Sequence, residues 1–205
     1  MISSYKNIIW DFDGVLIDSS EIRIFAFREI LKDYSLDKVN KLINFHKKND
    51  GLSRYVKIDY FFSDIINQSL DNKKKASLLK EFGKICSTKL DNKKLLIKET
   101  LKFINTNFSQ KNFHIASGSD NEELNRLCIS LGINTFFNSI NGSPEIKKNI
   151  VGRIILENNY IPKETCLIGD SVNDYEAALY NGIQFFGYNN LKLKSIKKSN
   201  YIDNF

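Results

Sequence analysis

No stretch of this sequence is apolar for the ~20 consecutive residues that a membrane-spanning helix needs. The opening residues "MISSYKN" lack the basic-then-apolar pattern of an export signal, so nothing points to secretion. Cysteine is scarce, and Cys86, Cys128 and Cys166 stand far apart with no C-x-x-C pair. That spacing fits a reducing cytoplasm and three small buried hydrophobes. Internal repeats and low-complexity tracts are absent. The net charge of +6 is modest and its lysines are dispersed, with short runs only at 73–75, 93–94, 147–148 and 197–198. Such runs read as solvated faces, and without interleaved aromatics they give no support to a nucleic-acid surface.

What is present belongs to a globular protein. The 205 residues are 42% hydrophobic and 26% charged, enough for one domain or for a core with a smaller insert. Strand-length apolar runs recur at 8–10, 113–116, 136–140, 166–168 and 183–186. Helix patterns lie between the later ones. Residues 119–131 open with a capping box, Ser119 with Glu122, continue through Leu124, Leu127, Cys128 and Leu131, and meet a terminating Gly132. Pro144–Tyr160 and Val172–Asn181 follow the same pattern, the latter closed by Gly182. Strands alternating with helices predict an α/β fold, a Rossmann-like parallel sheet with helices on both faces.

Residues 20–92 break this rhythm. They contain no convincing strand, but Ile24/Phe27/Leu31, Ile58/Phe61/Ile65 and Leu78/Phe82/Ile85 have helical spacing, and Asn49-Asp50-Gly51 marks a turn. The pattern predicts an all-α insert at 20–92 within a core of 1–19 and 93–205, resumed by a helix carrying Ile97, Leu101, Ile104 and Phe108.

In open α/β sheets ligands bind at the carboxyl ends of the strands. Here those ends carry Asp11-Phe12-Asp13-Gly14, Ser117-Gly118-Ser119, Gly142-Ser143-Pro144 followed by Lys147, and Gly169-Asp170-Ser171 followed by Asp174. Crowded carboxylates repel, and a divalent cation relieves the repulsion. Oxygen donors without a nearby His or Cys suit Mg²⁺. With Lys147 and a helix N-terminus beside Ser117, the rim becomes a site for a phosphate dianion.

The stretches "DFDGV", "IASGS", a lysine after "GSP", and "GDSVND", in that order, resemble the four motifs of the haloacid dehalogenase superfamily. The resemblance covers essentially the whole chain and is to the phosphatase branch with an inserted α-helical cap. It implies a Mg²⁺-dependent phosphatase acting on a small phosphorylated metabolite, phosphoglycolate-like or sugar-phosphate-like, through an aspartyl-phosphate. By this resemblance Asp11 is the nucleophile and Asp13 the general acid and then base. Ser117 bonds the phosphoryl group and Lys147 holds its charge, with Lys148 in that role if the register slips by one. Asp11, the Asp13 backbone carbonyl, Asp170 and Asp174 would meet the metal, while Gly14 turns the chain and Gly118 admits phosphate. "DGLSRYV", 50–56, resembles the specificity loop of helical caps, where Arg54 would reach a distal anionic group of the substrate.

The remaining polar residues have plainer readings. Asp18 reads as the cap of a helix at 20–32, and Ser119 as a helix cap. Arg23 and Arg28 read as solvated, His46 and His114 as structural, and Trp10 as core. A phosphomutase of the β-phosphoglucomutase type is the alternative activity. In that enzyme a cap histidine stands where Arg23 stands here, which weighs against it. A dehalogenase would lack the second aspartate, and a non-catalytic module would have no need of crowded carboxylates. A cap of this size would hinder a nucleic-acid end.

Overall fold

The computed structural model describes residues 2–196 and 200–205; the lysine run at 197–198 lies outside them. Six parallel strands form one sheet in the order β3-β2-β1-β4-β5-β6. They are β1 Asn7–Trp10, β2 Asn112–Asp120, β3 Ser139–Ser143, β4 Thr165–Gly169, β5 Gln184–Gly187 and β6 Asn200–Tyr201. The helices are α1 Ser20–Ile30, α2 Leu36–Lys48, α3 Arg54–Tyr60, α4 Asn72–Leu90, α5 Lys98–Asn107, α6 Asn121–Leu131, α7 Lys147–Glu157 and α8 Val172–Tyr180. This is the Rossmann-like α/β architecture with an inserted all-α cap.

β1 lies at the centre because all four of its residues are buried. It pairs with β2 on one side (Trp10 opposite Ile115) and with β4 on the other (Trp10 opposite Ile168). Successive side chains of a strand point to opposite faces. Ile8 and Trp10 therefore join one core with Phe113, Ile115, Ile168, Leu124 and Leu127, while Ile9 joins a second with Leu167, Ile150, Val151 and Ala178. Trp10 also packs edge-on against Phe113, their centroids 5.7 Å apart. Truncating a fully buried aromatic of this kind costs about 3–5 kcal/mol. The strand order changes direction between β1 and β4, which opens a crevice at their carboxyl ends.

The cap helices run from α1 to α4, with α3 continuing into a π-helical turn at Phe61–Ile65. Ile24, Phe27, Phe61, Phe62 and Phe82 form the cap's interior and merge with the larger core. α2 had no counterpart among the expected helices, although Val39, Leu42, Ile43 and His46 bury one helical face. Cys86, Cys128 and Cys166 are buried free thiols. Among the described residues no helix is long and apolar enough to cross a membrane.

Several expected boundaries moved. β2 extends to Asp120, so Ser119 is a strand residue and the α6 cap is Asp120, whose side chain accepts from the Glu123 N–H at 3.1 Å. Gly132 does end α6, in the left-handed conformation at φ 75°. Asn134–Phe136 then form a 3₁₀ turn, which delays β3 to Ser139–Ser143 rather than 136–140. α7 starts at Lys147 rather than Pro144, and β6 was not foreseen.

Candidate active site

The site grows from the end of β1. Asp11 N–H donates to the Ile168 carbonyl at 2.9 Å, extending the β1–β4 pairing by one residue. Beyond it the chain turns at Gly14, whose φ of +73° disfavours any side chain. A Cβ there would stand 1.9 Å from Asp170 Oδ2, so glycine is what lets the ends of β1 and β4 converge.

Lys147, the first residue of α7, reaches into that convergence and is buried. Its Nζ lies 2.8 Å from Asp11 Oδ1 and also bonds Asp174 Oδ1. The other Asp174 oxygen accepts from Ser171 Oγ at 2.7 Å and Ser171 N–H at 3.0 Å, forming the capping box of α8. Asp174 thus caps a helix and faces the site at once. Lys148 is exposed, its Nζ over the Tyr180 ring.

One carboxylate oxygen each from Asp11, Asp170 and Asp174 lies within 4.8 Å of the others. Three formal negative charges against the single Lys147 ammonium leave a deficit. Burial and then the Asp174 charge push the Asp11 carboxyl up to about 8, against Lys147. Burial, followed by Asp11 and Asp174, likewise raises Asp170. A cluster of hard oxygen donors that would rather share positive charge than ionise unaided fits a divalent cation such as Mg²⁺.

Asp13 lies apart from this triad. Its carboxylate accepts from Ser19 Oγ and Ser119 Oγ, each at 2.5 Å, and from Arg23 Nε at 3.2 Å. Burial would raise its pKa, but Arg23 and the two hydroxyls outweigh burial and hold it below the ordinary carboxylate value. Arg23, expected to be solvated, is therefore a buried partner of the site, only 7% exposed. Asp18 is exposed and does not cap α1; that position is Ser19, whose hydroxyl is committed to Asp13. Ser117, buried within β2, accepts from the Ser119 N–H at 3.1 Å.

The cap closes this floor with a backbone contact. A Cβ on Gly118 would stand 2.4 Å from the Gly51 carbonyl oxygen, so the Asn49-Asp50-Gly51 turn rests directly on Gly118 of β2. Charged links reinforce the closure. Arg23 Nη1 and Arg54 Nη1 each lie 2.5 Å from one oxygen of the buried Glu123. Arg54 Nη2 is 3.3 Å from Asp120 Oδ2, and Tyr55 OH donates to that same oxygen at 2.5 Å. The cavity between cap and core, about 40 Å³, has Asp11, Asp13, Ser117, Gly118 and Asp170 on its core side and Arg23, His46, Asp50, Arg54 and Lys57 on its cap side.

The structure therefore gathers Asp11, Asp13, Ser117, Gly118, Asp170 and Arg54 around one cavity, with Lys147 and Asp174 behind Asp11. Sequence reasoning did not single out Lys57, Glu123 or Asp50, and it read His46 as structural. The α3 pattern held a clue to Lys57, which follows Arg54 by three residues and so shares its helix face. Glu123 carries no such signal; an acid in the first turn of a helix is common.

The sequence profile of the haloacid dehalogenase-like hydrolases matches residues 8–188. Among solved structures, β-phosphoglucomutase from Clostridium difficile is similar at a TM-score of 0.78 with 18% identity, covering 98% of this chain and 91% of that one. A predicted phosphoglycolate phosphatase from Haemophilus somnus gives 0.73 at 18% identity, over 98% and 88% of the two chains. CbbY from Rhodobacter sphaeroides, solved with xylulose-1,5-bisphosphate, gives 0.77 at 15%, over 98% and 94%. No curated protein sequence matches the chain significantly.

Proposed function

The chain belongs to the haloacid dehalogenase-like hydrolases, and we propose that it is a Mg²⁺-dependent phosphatase that hydrolyses a small phosphorylated metabolite. The observation that carries this reading is Lys147, bonded to Asp11 and Asp174 together at the strand ends where Asp170 also converges. Phosphoryl transfer proceeds through a loose transition state, so it needs positioning and charge neutralisation more than covalent assistance.

Asp11 attacks phosphorus and the ester oxygen departs, leaving an aspartyl-phosphate. Asp13 gives the leaving oxygen a proton that a monoanionic ester brings in, then takes one from the water that cleaves the acyl phosphate, and the partners that lower its pKa favour the ionised form this second transfer needs. Arg23, Ser19 and Ser119 hold Asp13 in place for both transfers. Ser117 donates to the phosphoryl oxygens, and Lys147 orients Asp11 while balancing its charge. Asp11, Asp170 and Asp174 would hold Mg²⁺, which would supply further neutralisation of charge at the transferring group. The cap excludes bulk water while the reaction proceeds.

A β-phosphoglucomutase-like isomerisation uses the same floor. Arg23 weighs against it, since it stands where that enzyme has a cap histidine and is committed to Asp13 and Glu123. The test is phosphate release from a panel of phosphorylated metabolites, with and without Mg²⁺, beside Asp11→Asn. Release that needs both Mg²⁺ and Asp11 is expected. Turnover untouched by Asp11→Asn would overturn the mechanism, and interconversion of hexose 1- and 6-phosphates without release would make the protein a mutase.

A further inference from the structure

The cap side of the cavity holds three cations, Arg23, Arg54 and Lys57, with very different partners. Arg23 is bonded to Asp13 and Glu123. Both amino groups of Arg54 are taken, one by Glu123 and one by Asp120. Below them, Lys147 on the core side is shared by Asp11 and Asp174. Each of these positive charges is already answered by a carboxylate of the chain.

Lys57 differs. It is only 3% exposed, and its Nζ donates at 2.8 Å to the Asp50 backbone carbonyl, a neutral acceptor. Among the described residues it has no ion-pair partner, and the Asp50 carboxylate is turned to His46, 3.3 Å from its Nδ1. An ammonium has three donors, and burying it without a counter-ion is unfavourable. Burial pushes the Lys57 ammonium down to about 8, with Asp50 and Asp13 pulling the other way. One more buried atom of the same wall, Arg54 Nε, has no hydrogen-bond partner. The wall above the reacting carboxylates is thus built of unfilled polar capacity around one unanswered positive charge.

We propose that Lys57 receives a compact anionic group, of the carboxylate class, on the alcohol portion of the substrate, so that the preferred ester carries a second negative charge beside its phosphate. The assignment rests on the phosphatase reading. It moves the anion-recognising role from Arg54, whose guanidinium is engaged with Glu123 and Asp120, to a residue three positions along the same helix. A bound carboxylate would give the ammonium its missing counter-ion, and the small cavity suits a short ester.

The discriminating pair is 2-phosphoglycolate and ethyl phosphate, which differ by the carboxylate alone. In Mg²⁺ buffer the native chain should prefer phosphoglycolate in kcat/KM. Lys57→Met should reduce that preference by about tenfold or more, the effect of losing one charge-assisted hydrogen bond. Lys57→Arg should restore most of it, and Lys57→Gln stands in should the methionine variant not fold by circular dichroism. Equal losses on both esters in folded variants, or no preference in the native chain, would overturn the proposal. Calorimetric binding of the two esters to Asp11→Asn separates this from the phosphatase reading. Carboxylate-dependent binding that Lys57→Met abolishes, without turnover by the native chain, sustains Lys57 and removes the phosphatase. Turnover with carboxylate-blind binding does the reverse.

Discussion

Arg54 Nη1 lies 2.5 Å from Glu123 Oε2, joining a helix of the cap to a helix of the core through a buried ion pair. The other Glu123 oxygen holds Arg23 at the same distance, so one core carboxylate answers two cap arginines. Removing one member of a buried charged network leaves its partners desolvated and unpaired, which is what makes such losses large.

Glu123→Ala should therefore destabilise the protein by about 3–5 kcal/mol in urea unfolding, because two guanidinium groups lose their shared acceptor. Arg54→Ala in the same background should cost less than it does alone, with a coupling of about 0.5–3 kcal/mol in the double-mutant cycle. Strict additivity would show that the cap–core ion pair does not hold in solution.

Gly14→Ala probes the convergence of the strand ends. The substitution forces a Cβ into positive φ and onto Asp170, which must move. Loss of a neighbour that orients a ligand typically weakens metal affinity 10–100-fold. The Mg²⁺ concentration for half-maximal phosphate release should rise by about that factor, read from a Mg²⁺ titration. An unchanged titration would remove Asp170 from the metal site.

Much of this arrangement is legible in the residues themselves. The site-bearing stretches at Asp11, Ser117 and Gly169 announce themselves by short apolar runs that stop at acids, hydroxyls and glycines, and Gly132 and Gly182 mark helix ends by the backbone freedom glycine supplies. What stays hidden is pairing across the fold. Arg23 has the local look of a solvated helix residue, and only the approach of Asp13 and Glu123, the latter 100 residues away, makes it a buried one. Ser119 has the local look of a helix cap, yet β2 continues through it because its hydroxyl is claimed by Asp13 rather than by a helix N–H. Likewise α2 is polar enough to hide its apolar stripe, and β6 is a two-residue edge with no pattern of its own. Local propensity is overridden wherever a distant partner supplies the stronger interaction.

His114 offers a pH test that avoids the carboxylate cluster. It is held between Ser139 Oγ at 2.8 Å and Tyr160 OH at 2.9 Å, and burial lowers its pKa to about 4. Between pH 4 and its unfolded value near 6.5, the unfolded chain binds a proton that the native one refuses. Its contribution is therefore intact above that window and falls by about 1.4 kcal/mol per pH unit as the solution is acidified through it. The difference in unfolding free energy between the native chain and His114→Gln, measured from pH 7.5 to 4.5, isolates this slope from the opposing one of Asp11 and Asp170. A pH-independent difference would mean that His114 titrates normally in the fold.

Lys147→Met and Lys148→Met separate two adjacent lysines that the motif alone leaves interchangeable. Lys147 is the buried partner of Asp11 and Asp174, whereas Lys148 lies outside over Tyr180. Under the proposed mechanism, removing the Lys147 ammonium takes from Asp11 the group that orients it and from the transition state a fixed positive charge. Removing one such preorganised group typically costs about 10²–10³ in kcat. The carboxylate triad also loses its internal cation, so the native state of Lys147→Met should depend more on Mg²⁺. Its thermal midpoint should rise further on Mg²⁺ addition than that of the native chain, because a ligand that binds only the folded state stabilises it according to its affinity. Lys148→Met should keep both kcat and the Mg²⁺ response of the native chain. A large kcat loss in Lys148→Met with little in Lys147→Met would place the working register one residue further along α7 and break the link between Asp11 and Asp174 on which the phosphatase reading depends.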